Sequence, residues 1–223
     1  MTTLAYRNAV RALLTPAERR TFARLDTPRK IQVFIEKLPP NFELRGETYM
    51  SPRRALKART VHCAEGAVLA AAILAYHGKP SWLMDIRALP SDQDHIVTLF
   101  KERGLWGAIS KTNHAVLRWR DPIYRSPREL AMTYAHEYNL DFGKKSMLAY
   151  SRPFSLARYA PRRWVTAEED LDWLFDALDA SPHEPVAPKH ALRKRRHSTR
   201  VELKSQDVTE HPVPPSRRVA KTK

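Results

Sequence analysis

Residues 60–84, TVHCAEGAVLAAAILAYHGKPSWLM, decide how this chain folds. From Cys63 onward, alanine and leucine dominate, and these residues lose little side-chain freedom in a helix. The run is apolar on all sides, which places the helix inside the core rather than on its surface. Gly78 and Pro80 close it, and after Pro80 the pattern changes to short runs of branched and aromatic residues. A buried helix leading directly into strands is the seed of the fold. Two details stand out at its head. Cys63 is the only cysteine of the chain, and Gly66 costs helix stability where a close approach by another backbone or a substrate would justify it.

Outward from this stretch, the elements read in order. TPAERRTFARL (15–25) has Thr15 as N-cap, Pro16 at the first helical position and Glu18 to complete a capping box. TPRKIQVFIEKL (27–38) repeats the start and is stopped by Pro39 and Pro40, and a loop then leads to a short helix capped by Ser51. Beyond the central helix, SWLMDIRAL (81–89), DHIVTLFK (94–101) and LWGAIS (105–110) are predicted strands, the last two joined in a hairpin across Glu102, Arg103 and Gly104. SPRELAMTYAHEY (126–138) and TAEEDLDWLFDALDA (166–180) are predicted helices capped by Ser126 and Thr166. Helices, an antiparallel sheet, then helices make an α+β domain.

Composition bounds the function classes. The chain has 223 residues, 43% of them hydrophobic, and a formal net charge of +15. A single cysteine excludes an intrachain disulfide, and a cytoplasmic location is the default expectation. Arginines interrupt the apolar residues of the first twenty positions and no run reaches membrane-spanning length, so neither an export signal nor a membrane span is expected. From His183 onward, eleven Lys or Arg face four acids, a net of +7 that leaves +8 for the rest. That segment is rich in proline and charge and poor in large apolar residues, so residues 183–223 are expected to be a disordered basic tail. Its RKRR run offers a weak contact with nucleic acid or an anionic surface, but no aromatic residue is present to stack on bases.

The chemistry follows from Cys63. Unpaired amides and the dipole at a helix head stabilise a thiolate there. His95, at the start of a predicted strand, is placed to serve as its base. The hairpin leaves the third group open: a turn at Glu102–Arg103 pairs His95 with Ser110, one at Arg103–Gly104 pairs it with Thr112, and a three-residue loop pairs it with Lys111. Asn113 lies just beyond. Ser110 ranks first and Asn113 second; Asp94 points to the opposite strand face, and Asp92 shares the face of His95 only if the strand extends that far.

HCAEGAVLAAAILAYHGKPSWLM (62–84), DHIVTLF (94–100) and LWGAIS (105–110) resemble, in that order, the nucleophile helix, histidine strand and third-residue strand of the transglutaminase-like superfamily. The match covers roughly residues 59–112. HCAEGA, WGAISKTNH, RDPIYRSPRELAMTYAHEY and AYSRPFSL look more narrowly like an uncharacterised bacterial subgroup of it. The resemblance implies a papain-like core, with a nucleophile-bearing helix packed on a small antiparallel sheet. It also implies cofactor-free acyl transfer from a peptide or amide substrate, to water or to an amine. Residues 1–58 would be a helical segment packed on a core spanning 59–182. Cys63 would be the nucleophile, with its amide as an oxyanion donor. His95 would take the thiol proton and later protonate the leaving amine. Where the superfamily usually has aspartate, four residues beyond Trp106, this chain has Ser110, which can orient an imidazole but brings no negative charge to it.

Other residues are weighed against this frame. Trp106, with Arg118 and Arg120 from HAVLRWRDPIYRSPREL (114–130), is expected to line the substrate cleft, the arginines forming a rim that favours anions. His62 reads as structural, since neighbours on a helix face different ways. His62, Cys63, His95, His114 and His136 lack the short repeated spacing of zinc sites, so no metal is expected. A non-catalytic binding module that keeps the cleft, and a basic nucleic-acid-associated protein, are the alternatives to the enzyme.

Overall fold

The computed structural model describes residues 3–44 and 46–214. In chain order the helices are α1 (Thr3–Leu13), α2 (Pro16–Arg24), α3 (Pro28–Glu36), α4 (Pro52–Ala58), α5 (Cys63–Tyr76), α6 (Pro127–Met132), α7 (Arg162–Val165), α8 (Asp172–Asp179), α9 (Lys189–Arg193) and α10 (Arg200–Asp207). The strands are β1 (Trp82–Arg87), β2 (His95–Glu102), β3 (Leu105–Ile109), β4 (Arg120–Tyr124), β5 (Ala149–Ser151) and β6 (His183–Pro185). They form one antiparallel sheet in the order β4-β3-β2-β1-β5-β6.

Local chemistry starts most of these helices as the sequence predicts. Side-chain oxygens of Thr15, Thr27, Ser51 and Ser126 each accept from the backbone amide three residues on, and Pro follows every one of them. Each such cap contributes about 1 kcal/mol. In α5, every residue from Ala64 to Ala75 is buried. It packs on one face of the sheet among Val10, Ile35, Phe100 and Leu174. The other face is covered by α6 and the turns after it, through Leu130, Tyr134 and Tyr138 against Val97, Leu99 and Ala108. A central strand covered on both faces is apolar almost throughout, and β2 is buried from Val97 to Phe100.

The hairpin settles its own register. Glu102 pairs with Leu105, so the turn is Arg103–Gly104, both at positive φ (49° and 84°), which suits the twist of the flanking strands. Four readings are corrected. Residues 114–130, where no strand is predicted, include the edge strand β4, whose Pro122 is tolerated because an edge strand needs donors on one side only. Helix α6 ends at Met132 instead of Tyr138, as amides 133–135 turn to carbonyls three residues back. Helix α8 starts at Asp172, not after Thr166, because Asp170 accepts from the Tyr49 amide at 2.9 Å and from Arg54 at 2.8 Å.

The fourth correction concerns the basic tail. Residues 183–214 are built into the structure: β6 closes the sheet, Val186 is buried, and Arg195 donates to the carbonyls of Met147 (2.7 Å) and Lys145 (2.8 Å). The expectation of disorder rested on the scarcity of large apolar residues, whereas this segment is held by backbone pairing and by a charged side chain capping carbonyls. Arg195 of the RKRR run is therefore spent inside the protein, and Arg196 pairs with Glu202. The remainder of the expected tail, residues 215–223, lies outside the described residues. No single helix among the described residues is long and apolar enough to cross a membrane.

Candidate active site

The head of α5 brings Cys63 to the end of the sheet where β2 begins. His62 is the N-cap, with extended backbone (φ −92°, ψ −172°), and Glu65 completes a capping box by accepting from the His62 amide at 3.0 Å. Cys63 is partly exposed, while His95 is buried. The rings of His62 and His95 both act on the thiol: burial works to raise its pKa, yet hydrogen bonding and electrostatic attraction to the two rings outweigh it, and the group is held well below its ordinary value.

His95 is backed by Ser110. Its Nε2 lies 2.7 Å from Ser110 Oγ, and Ser110 Oγ in turn donates to the Leu117 carbonyl at 2.5 Å. A carbonyl can only accept, so the hydroxyl proton is committed to Leu117 and Ser110 receives the Nε2–H of His95. Nδ1 then carries the lone pair, which leaves it as the ring nitrogen able to take a proton at the sulfur. Continued past its last pair, Thr98 with Ile109, the register places Thr112 opposite His95, three residues further on. Ser110 is the diagonal neighbour on the same face, within reach of a long side chain.

Ser110 is itself anchored. Gln32 of α3 donates to its carbonyl (2.8 Å) and accepts from its amide (2.9 Å). Leu117, at φ 60°, gives its amide to Glu137, whose carboxylate also pairs with Arg120 at 2.5 Å. Gly66 answers the close approach it suggested: a Cβ there would lie 2.8 Å from Cβ of Lys111. The Lys111 ammonium donates to the Leu38 carbonyl at 2.5 Å, and burial pulls its pKa down.

The remaining predicted site residues lie elsewhere. Asn113 exchanges two hydrogen bonds with the backbone of His211, at 2.9 Å each, and takes no part beside His95. Trp106 packs at a tilt of 60° against Trp82 in the second core layer. Arg118 pairs with Glu210 and Arg120 with Glu137, the latter also lying over the ring of Tyr134. The expected arginine rim is thus an internal brace, because each guanidinium finds a carboxylate that folding brings beside it. The phenols of Tyr49 and Tyr138 are raised first by burial, and the Cys63 charge adds to both. His114 bonds the Gln206 carbonyl and His136 the Lys145 ammonium. Two concavities, lined in part by Tyr6 with Trp164 and by Pro28 with Phe100, do not include Cys63.

Sequence reasoning missed His62 and Gln32. His62 was assigned a separate direction on helical geometry, but an N-cap is not helical and its ring is free to turn toward its neighbour. Its Nε2 donates to the Thr48 carbonyl at 2.6 Å and sits 3.5 Å from Glu65 and 3.8 Å from Glu43. Burial pulls the ring's pKa down, but its hydrogen bond to Cys63, the Cys63 charge and Glu65 lift it to about 9. The capping-box spacing from His62 to Glu65 was the available signal. For Gln32 there was none, since its partner is 78 positions away.

No protein-family model matches this chain, and a search of curated proteins finds no match to it.

Proposed function

We propose that this protein is a cysteine-dependent acyl-transfer enzyme of transglutaminase-like, papain-like architecture, acting on an amide or peptide bond. The observation that carries the reading is a partly exposed thiol, Cys63, at the head of a buried helix, with two imidazoles acting on it, one of them held by Ser110 at 2.7 Å. The thiol proton passes to a flanking imidazole, and sulfur attacks the carbonyl carbon. The carbonyl electrons move onto oxygen, where the Cys63 amide, in the first turn and so without an intrahelical acceptor, is a donor. The intermediate collapses to a thioester as the amine leaves with the imidazole's proton. Water or an acceptor amine then gives its proton to Nδ1 of His95 as it attacks the thioester, and the thiolate is expelled.

A burst of nitrophenolate from p-nitrophenyl acetate, one per chain and absent in Cys63→Ala, with an acetyl group found on Cys63 by mass spectrometry, is the expected result. Turnover of a fluorogenic peptide-amide library then reads the substrate. No burst and no acylation at a thiol that alkylates normally would overturn the proposal. One observation favours a second reading, a binding module that keeps the site without turnover: the hydroxyl of Ser110 where an acid would stabilise the base. That reading predicts acylation without deacylation, and peptides retained rather than cleaved.

A further inference from the structure

A thiolate next to imidazole needs a positive partner, and that partner needs an anion or a strong acceptor behind it. On the His95 side there is neither: Nε2 meets a neutral hydroxyl at 2.7 Å, and that hydroxyl's proton is spent on Leu117. On the His62 side both are present. Nε2 donates to Thr48 at 2.6 Å, with the Glu65 carboxylate at 3.5 Å and that of Glu43 at 3.8 Å. Glu65 is fully buried and accepts from Asn41, the Thr48 hydroxyl, and the Met50 and His62 amides, donors that suit an acceptor-only carboxylate.

We infer that His62, not His95, holds the proton of the Cys63 thiol in the resting protein, with Glu65 and Glu43 as its acids. This rests on the reading of Cys63 as an acyl-transfer nucleophile. In the resting step the S–H bond breaks and an N–H bond forms, with no change in net charge. The Thr48 contact occupies Nε2, which leaves Nδ1 as the ring nitrogen that can take a proton from the thiol of the next residue. That atom lies 3.2 Å from the Ala64 amide; as a lone pair it caps the helix, and as N–H it turns to the thiolate. Around the ring stand Cys63, Glu65, Glu43 and the edge of Tyr49, whose ring centroid is 5.9 Å away. The upward shift of His62 and the downward shift of Cys63 are the pair of displacements such a transfer produces. The missing acid behind His95 is thereby explained, because the acid stands behind the other imidazole.

The test is the pH dependence of iodoacetamide alkylation at Cys63 in the full chain, in wild type, His62→Gln and His95→Gln. His62→Gln is expected to raise the midpoint by about one pH unit or more, and so to slow alkylation at pH 6 about tenfold, with a smaller shift in His95→Gln. An unshifted midpoint in His62→Gln, or a larger shift in His95→Gln, overturns the inference. Should His62→Gln fail to fold, nitrogen-15 NMR of the imidazoles in wild type and Cys63→Ala decides instead. The His62 ring should lose its raised titration in Cys63→Ala, and a titration that does not move overturns the proposal. The acetate burst separates the two readings. A normal burst with an unshifted His62→Gln midpoint sinks only this inference, and a shifted midpoint without any burst sinks only the enzyme.

Discussion

Replacing Gln32 with leucine tests whether the site is held from outside its own strands. The side chain is 4% exposed and bonds both backbone groups of Ser110, at 2.8 and 2.9 Å. Leucine keeps most of the volume, so little cavity opens, and what changes is that one buried amide and one buried carbonyl lose their partners. Each unsatisfied group costs about 1–3 kcal/mol, so the variant should lose about 2–6 kcal/mol of stability. For a chain of this size about 2–4 °C accompanies each kcal/mol, so a calorimetric melt should show a fall of at least about 4 °C. Freed Ser110 also releases His95, and alkylation of Cys63 should slow at fixed pH in the folded variant. A smaller fall in Tm together with an unchanged alkylation rate would refute the reasoning. Gln32→Glu sharpens the comparison, because a carboxylate accepts from the Ser110 amide but opposes its carbonyl and Glu36; it should be worse at pH 7 than at pH 5.

Ser110→Asp should destabilise the protein and lower acyl transfer rather than improve it, because a carboxylate cannot donate to the Leu117 carbonyl now 2.5 Å from the hydroxyl; urea unfolding and the acetate burst read both effects. Gly66→Ala should lower the melting temperature in spite of alanine's helix propensity advantage of about 1 kcal/mol, since the added carbon meets Cβ of Lys111 at 2.8 Å and overpacking costs about 1–3 kcal/mol. The two site shifts act on stability with opposite sign. The raised pKa of His62, about 9, adds stability that is complete below the unfolded value near 6.5 and is lost as pH rises through 9. The lowered pKa of Cys63 adds stability present above its unfolded value and lost as pH falls through its folded one. Between about pH 7 and 8.5 the slopes oppose, so the urea midpoint should stay nearly flat there, with any fall from this pair confined to about pH 8.5–9 and no further contribution from either group above it; a steady fall already from pH 7 would show that the thiol is not displaced.

Several elements were legible because their causes are local. Thr15, Thr27, Ser51 and Ser126 cap their helices with an amide three residues away, and Arg103–Gly104 turns the hairpin on its own positive φ angles. The apolar run after Cys63 announced a core helix because burial on all sides leaves no polar face. Ser110 was within the sequence's reach too, as one of a few hairpin partners. Its selection over Thr112 required the diagonal geometry that only a twisted, folded pair has.

By itself the sequence determined where the capped helices α2, α3, α4 and α6 and, to within a residue, the strands β1 to β3 begin, that a thiol stands at the head of the central helix, and that a histidine opens the following hairpin. The tertiary structure decided which groups the site's charges face. Glu65 reaches His62 only through the capping geometry, Gln32 meets Ser110 across 78 positions, and Arg118 and Arg120 find Glu210 and Glu137 once the last segment packs. Capping and turn energies act over three or four residues and are written in order along the chain. Partners for a buried proton or charge are chosen by proximity in space, which the one-dimensional pattern does not encode.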